Sequence, residues 1–177
     1  MLGVTKRGAA RASLTALSLA ALSLTAPHAS ASDGNTAAKV AISSEADAGT
    51  RAIAAAEPRA LAATGTLCGS GYALYSAERL PDERRWGTLF IYNQTDGEGV
   101  CAVFDNNLST TKYMKLKVCD YKVSPTCVTD EGNFTQYAGP VRMQVSTYCA
   151  TAIAIMKNTK TSTTALIDRK VDARPCN

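Results

Sequence analysis

Six cysteines constrain this chain more than anything else in it. They are Cys68, Cys101, Cys119, Cys127, Cys149 and Cys176, and none lies in the first third of the 177 residues. The number is even and there is no C-x-x-C pair, which suits a disulfide framework better than a zinc site. No metal and no other cofactor is expected. Cys119 and Cys127 are the expected first pair, because the seven residues between them include Ser124-Pro125, a turn signal. In the chain-entropy model so short a loop contributes at most about 2.5 kcal/mol. The other four cysteines leave three connectivities open, and Cys68 and Cys176 bracket everything between them.

Disulfides need an oxidising compartment, and the N-terminus predicts one. Lys6, Arg7 and Arg11 precede an apolar run over residues 14–26, and Ala29-Ser30-Ala31 follows as a small-x-small cleavage pattern. The run is too short for a span, which needs roughly 20 apolar residues. The expectation is therefore an export signal over residues 1–31, a secreted protein, and no membrane association after cleavage. Cleavage would leave 177 − 31 = 146 residues with 16 basic and 15 acidic side chains, a net charge of +1. So balanced a chain gives no expectation of nucleic-acid binding. Cleavage also removes His28, the single histidine. The mature chain could then hold no histidine triad, no Cys–His nucleophile and no histidine zinc ligand.

Composition changes near residue 66. Residues 33–66 hold 12 alanines in 34 positions and no aromatic residue. Residues 43–56 can form helix on alanine propensity, and Pro58 discourages helix at Glu57. With so little to bury, residues 32–66 read as an Ala-rich linker or a removable pro-segment. The disulfide-bonded β domain is expected over residues 67–177, with every tyrosine, every phenylalanine and Trp86.

That domain reads as β. Thr88-Leu89-Phe90-Ile91-Tyr92 and Val100-Cys101-Ala102-Val103-Phe104 flank a turn centred on Asp96-Gly97, a hairpin pattern and a poor calcium loop. Met114, Leu116 and Val118 alternate with Tyr113, Lys115 and Lys117, which are expected to face outward. Val141, Met143 and Val145 alternate in the same way. Residues 149–156, apolar on both faces, suggest a central strand; Ala150, Ala152 and Ala154 would also allow helix, while β-branched Thr151, Ile153 and Ile155 favour strand. Residues 72–75 are the expected first strand and 163–167 the last. Asp130-Glu131-Gly132-Asn133 reads as a turn. The predicted fold class is all-β: a compact disulfide-linked β-sandwich or small barrel, preceded by a disordered or weakly helical segment.

Several strings carry a resemblance. They are Cys68-Gly69-Ser70-Gly71-Tyr72, Gly87-Thr88-Leu89-Phe90-Ile91-Tyr92-Asn93, Val100-Cys101-Ala102-Val103, and the run from Asp130 through Tyr137-Ala138-Gly139-Pro140-Val141. Over residues 68–177 the chain resembles the spore-associated protein A family of filamentous, spore-forming actinobacteria. The resemblance implies a small exported protein found with spores or the mycelial surface, and it carries over no biochemical activity. The Cys119/Cys127 pair departs from the family pattern as an addition to four cysteines. Residues 150–153 lack a Trp-Gly-rich continuation. The resemblance implies a bacterial source, in which the acceptor-like triplets at Asn93, Asn107 and Asn133 carry no expectation of glycosylation.

Three functions follow as expectations. The first is a non-enzymatic protein of the spore or cell surface, with Tyr113, Lys115 and Lys117 available to a glycan or an anionic wall polymer. The second is a secreted inhibitor of proteases or other enzymes, with the Cys119–Cys127 loop as bait. The third is a carboxylate-dependent glycan hydrolase drawing on Asp105, Asp120, Asp130, Glu131 or Asp168, the weakest because none lies in a motif. The partners expected are thus a surface polymer or a secreted protein.

Overall fold

The computed structural model describes residues 39–121, 125–145 and 149–174. The expected export signal and Cys176 lie outside them. The elements are β1 (Ala41–Ile42), α1 (Ala48–Ala56), α2 (Pro58–Cys68), β2 (Tyr72–Leu80), β3 (Gly87–Gln94), β4 (Gly99–Asn106), β5 (Lys112–Asp120), β6 (Cys127–Phe134), β7 (Tyr137–Gln144), β8 (Ala150–Lys157) and β9 (Ile167–Arg174). They form a five-stranded sheet of order β1-β2-β3-β4-β7 and a four-stranded sheet of order β6-β5-β8-β9. Every strand pair is antiparallel except β1–β2. The sheets stack as a sandwich and do not close into a barrel.

The alternation of β5 sets the layers. Met114, Leu116 and Val118 join Leu89, Ile91, Phe104, Val141 and Met156 in the core between the sheets. β8 is a central strand, paired with β5 on one side and β9 on the other.

A second core lies on the opposite face of the five-stranded sheet. Leu74, Phe90, Tyr92, Cys101 and Val103 pack there against Ala54 and Leu61 of the two helices. This corrects the reading of residues 32–66 as a linker: residues 41–42 add an edge strand to the sheet, and the helices from residue 48 onward form a third layer on it. The physical reason is that β3 and β4 are apolar on both faces, so both faces need cover. Few large side chains are required of the helices, because the sheet supplies the aromatics.

Local chemistry fixes the helices. Asp47 caps α1, accepting from Thr50 N at 2.6 Å. The chain breaks at Glu57 and restarts with Pro58 in the first turn of α2, as the sequence suggests. Thr50 Oγ1 accepts Ala77 N at 3.1 Å, satisfying an edge amide of β2.

α2 is tied down along its length. Glu57 accepts from Arg79 at 2.9 Å and from Arg85 at 3.1 Å. Thr64 Oγ1 meets Tyr92 Oη. The guanidinium of Arg142 donates to the carbonyls of Leu67 and Cys68, where a cation suits a helix C-terminus. Cys68 is bonded to Cys101.

The expected Cys119–Cys127 disulfide is present, between directly paired residues of β5 and β6. Cys149 is also disulfide-bonded, and no described cysteine is free. Such cross-links belong to an oxidising, extracellular-type environment.

Two local readings are corrected. Asp130-Glu131-Gly132-Asn133 lies within β6, in unbroken register with β5 from Phe134 to Cys127. Pairing with β5 outweighs the local turn preference, and the turn falls at residues 135–136 instead. The last strand spans Ile167–Arg174 rather than residues 163–167. Its alternating charges suit a sheet edge, and Arg169 reaches Glu78 of β2 at 2.7 Å.

Candidate functional site

The outer face of the four-stranded sheet carries Tyr113, Lys115 and Lys117, as expected. Tyr113, however, is only 9% exposed. β5 is an inner strand, so Asn133 and Lys157 flank the ring on either side. Its hydroxyl donates to Glu131 Oε2 at 3.2 Å. Lys115 Nζ lies 3.0 Å from the same oxygen, and Lys160 lies 3.7 Å from Oε1. The Lys115 bond, then the Tyr113 bond, hold the Glu131 carboxyl below its usual range. Tyr113 and Lys115 are therefore occupied with each other's acid and do not form an open aromatic platform.

The next row differs. Strand register places Thr129, Lys117, Ile153 and Lys170 side by side on this face. With strands roughly 4.8 Å apart, Lys117 and Lys170 stand about 10 Å from each other across Ile153. Among the described residues neither forms an ion pair. A shallow hollow of about 220 Å³ adjoins them, lined by Ile153, Lys170 and Tyr121 beside the Cys119–Cys127 bridge. Tyr121 is 60% exposed. The exposed tyrosine near the lysines is thus Tyr121 rather than Tyr113. Sequence reasoning passed over Tyr121 because it lies past the end of the alternating strand.

The five acids offered for hydrolysis do not converge. Asp120 Oδ1 accepts Thr126 N at 2.7 Å and ties the ends of the disulfide loop. Asp130 Oδ2 accepts Gly139 N at 2.6 Å and ties β6 to β7. Glu131 and Asp168 share a row but sit on β6 and β9, three strand spacings or about 14 Å apart. That exceeds the roughly 5–10 Å separation that glycoside hydrolysis uses. Asp105 lies on the helix-covered side of the other sheet.

Asp105 lines a cleft of about 560 Å³ between α2 and the ends of β4 and β7. Ala60, Ala63 and Leu67 of α2 form one wall and Tyr137 another. Burial pushes the Asp105 carboxyl up; the Asn106 amide draws it back in part, and the negative charge of Glu57 adds to the rise. The sequence named Asp105 as an acid but not its cleft, because the helix that walls it read as linker. Continuous apolarity in Leu89-Phe90-Ile91-Tyr92 was the available signal for that helix.

Comparisons with family models, with curated proteins and with solved structures return no match.

Proposed function

We propose that this is an exported, non-catalytic protein of the spore or cell surface, and that it holds an anionic wall polymer on the outer face of its four-stranded sheet. The carrying observation is the pair Lys117 and Lys170, without ion partners among the described residues and about 10 Å apart on the outer face of the sheet. Ile153 between them and the exposed Tyr121 nearby offer apolar contact to a sugar ring. The resemblance to the spore-associated protein A family supports the location. The scatter of the five carboxylates counts against glycan hydrolysis by those acids.

Co-sedimentation of the oxidised protein with purified cell walls tests this reading. The protein pellets with walls at low salt and is released near 1 M salt, where screening reaches about 3 Å. Lys117→Glu with Lys170→Glu weakens retention at least about tenfold, since a lysine beside an anionic surface contributes about 1 kcal/mol. Protein that stays in the supernatant at low salt overturns the proposal.

Inhibition of a secreted enzyme is the second reading. The ends of the Cys119–Cys127 loop are held by the disulfide and by the Asp120–Thr126 bonds, and Tyr121 projects beside them. Fixing the ends of a binding segment in this way lowers the ordering cost of binding. Slowed hydrolysis in a panel of secreted proteases at stoichiometric protein would support it.

A further inference from the structure

We propose that the cleft between α2 and the ends of β4 and β7 binds a primary alkylammonium group, with Asp105 as its counter-charge. The site is independent of the sheet face discussed above and lies on the other side of the sandwich.

The cleft, at about 560 Å³, falls within the range of small-molecule sites. Its walls are short and apolar, from Ala60, Ala63, Leu67 and the Tyr137 ring, and suit a methylene stem. Ser109 and Thr135 at the rim offer hydroxyl oxygens to further N–H groups.

Asp105 is the anion of the site, and the described residues supply it no cation. Among the described residues no side chain forms an ion pair or hydrogen bond with its carboxylate. The contrast with Glu57 is direct. Thr88 pairs with Asp105 across the strands and donates to Glu57 Oε2 at 3.4 Å, yet both nearby arginines, Arg79 and Arg85, go to Glu57. The other titratable groups on the surrounding elements are Arg59 on α2, Tyr92 on β3, and Tyr137 and Arg142 on β7; Tyr92 is held by Thr64 and Arg142 is engaged at the end of α2. A partly desolvated carboxylate is costly unless paired, and a cationic ligand would supply the pair. One carboxylate is too few for a divalent metal, which needs several oxygen ligands. The raised pKa of Asp105 agrees with an unpaired acid.

The ammonium group could come from a free amine or from a lysine side chain. An amide NMR titration with n-butylamine, with its neutral counterpart n-butanol, and with a blocked lysine derivative distinguishes them. n-Butylamine is expected to shift signals of α2, β4 and β7 near neutral pH, while n-butanol needs at least about tenfold more for the same shifts, a difference of about 1.4 kcal/mol. Shifts with the blocked lysine as well extend the site to peptide-borne lysine; shifts with the free amine alone restrict it to small amines. Asp105→Asn removes the preference for amine over alcohol. Ala63→Trp, at an exposed helix position, fills the cleft and weakens both ligands. Affinity of the unaltered protein for n-butylamine falls as pH drops and Asp105 takes up its proton, a readout that does not depend on any variant folding. Equal binding of amine and alcohol, shifts elsewhere on the protein, or a pH-independent affinity overturns the proposal.

Discussion

Tyr92 Oη on β3 lies 2.6 Å from Thr64 Oγ1 on α2, and both side chains are buried. Thr64 donates its own proton to the Ala60 carbonyl at 2.8 Å, so it accepts from Tyr92. Burial pushes the Tyr92 phenol above its usual range and keeps it a donor. Tyr92→Phe should cost about 1 kcal/mol, one net hydrogen bond. Tyr92→Ala should cost about 3–5 kcal/mol, because it also leaves a cavity. A chain beginning at residue 67 would bare Leu74, Phe90 and Val103. It should bind a hydrophobic dye and lose a cooperative melt, and a sharp native-like melt would contradict the helices' role as a third layer.

The disulfides should differ in effect. Cys68–Cys101 closes a separation of 33 residues and joins α2 to β4; Cys119–Cys127 closes 8. In the chain-entropy model these contribute about 3.7 and about 2.5 kcal/mol. Replacing both cysteines of one bridge by alanine or serine, then measuring urea midpoints, should show the larger loss for Cys68–Cys101.

Gly139 should tolerate no side chain. Its φ is 101°, in the region that favours glycine. A Cβ there would lie 2.8 Å from the Ala102 carbonyl oxygen. Gly139→Ala is expected to destabilise by at least about 2 kcal/mol in chemical denaturation. Asp130→Ala removes the charge-assisted bond to the Gly139 amide and should cost about 1.5–3 kcal/mol. The Tyr-Ala-Gly-Pro-Val string thereby opens β7 and, through Gly139, ties it to β6 of the other sheet.

Asp105 gives a pH signature. Its native carboxyl sits above the usual range because of burial, so the native state binds the proton more tightly than the unfolded chain. Stability contributed by that group is therefore present at low pH and lost as pH rises from the ordinary carboxylate value through the raised one. Asp105→Asn should melt at a higher temperature than the unaltered protein at neutral pH. The gap should close on acidification. A gap that widens on acidification would contradict the assignment.

The parts of this fold legible in the sequence are those where one face meets core and the other meets water. β5 is the clearest case, since Met114, Leu116 and Val118 mark its buried face without reference to anything else. β6 was illegible because Asp130, Gly132 and Asn133 are turn formers, and only pairing with β5 makes them a strand. The helices were illegible for the opposite reason: alanine signals neither burial nor exposure, and Phe90 and Tyr92 bring the bulk to that interface. At the candidate site, Lys117 was named from alternation. Lys170, Ile153 and Tyr121 come beside it only through strand order and register, which a single chain's periodicity does not specify.

The surface role is tested most directly by fractionating intact cells or spores of the source organism. The protein should remain with the washed surface at low salt and come off in a high-salt wash, and the Lys117→Glu, Lys170→Glu form should appear mainly in the medium. Recovery of the unaltered protein only from free culture medium, with nothing released from washed cells or spores, would contradict the account.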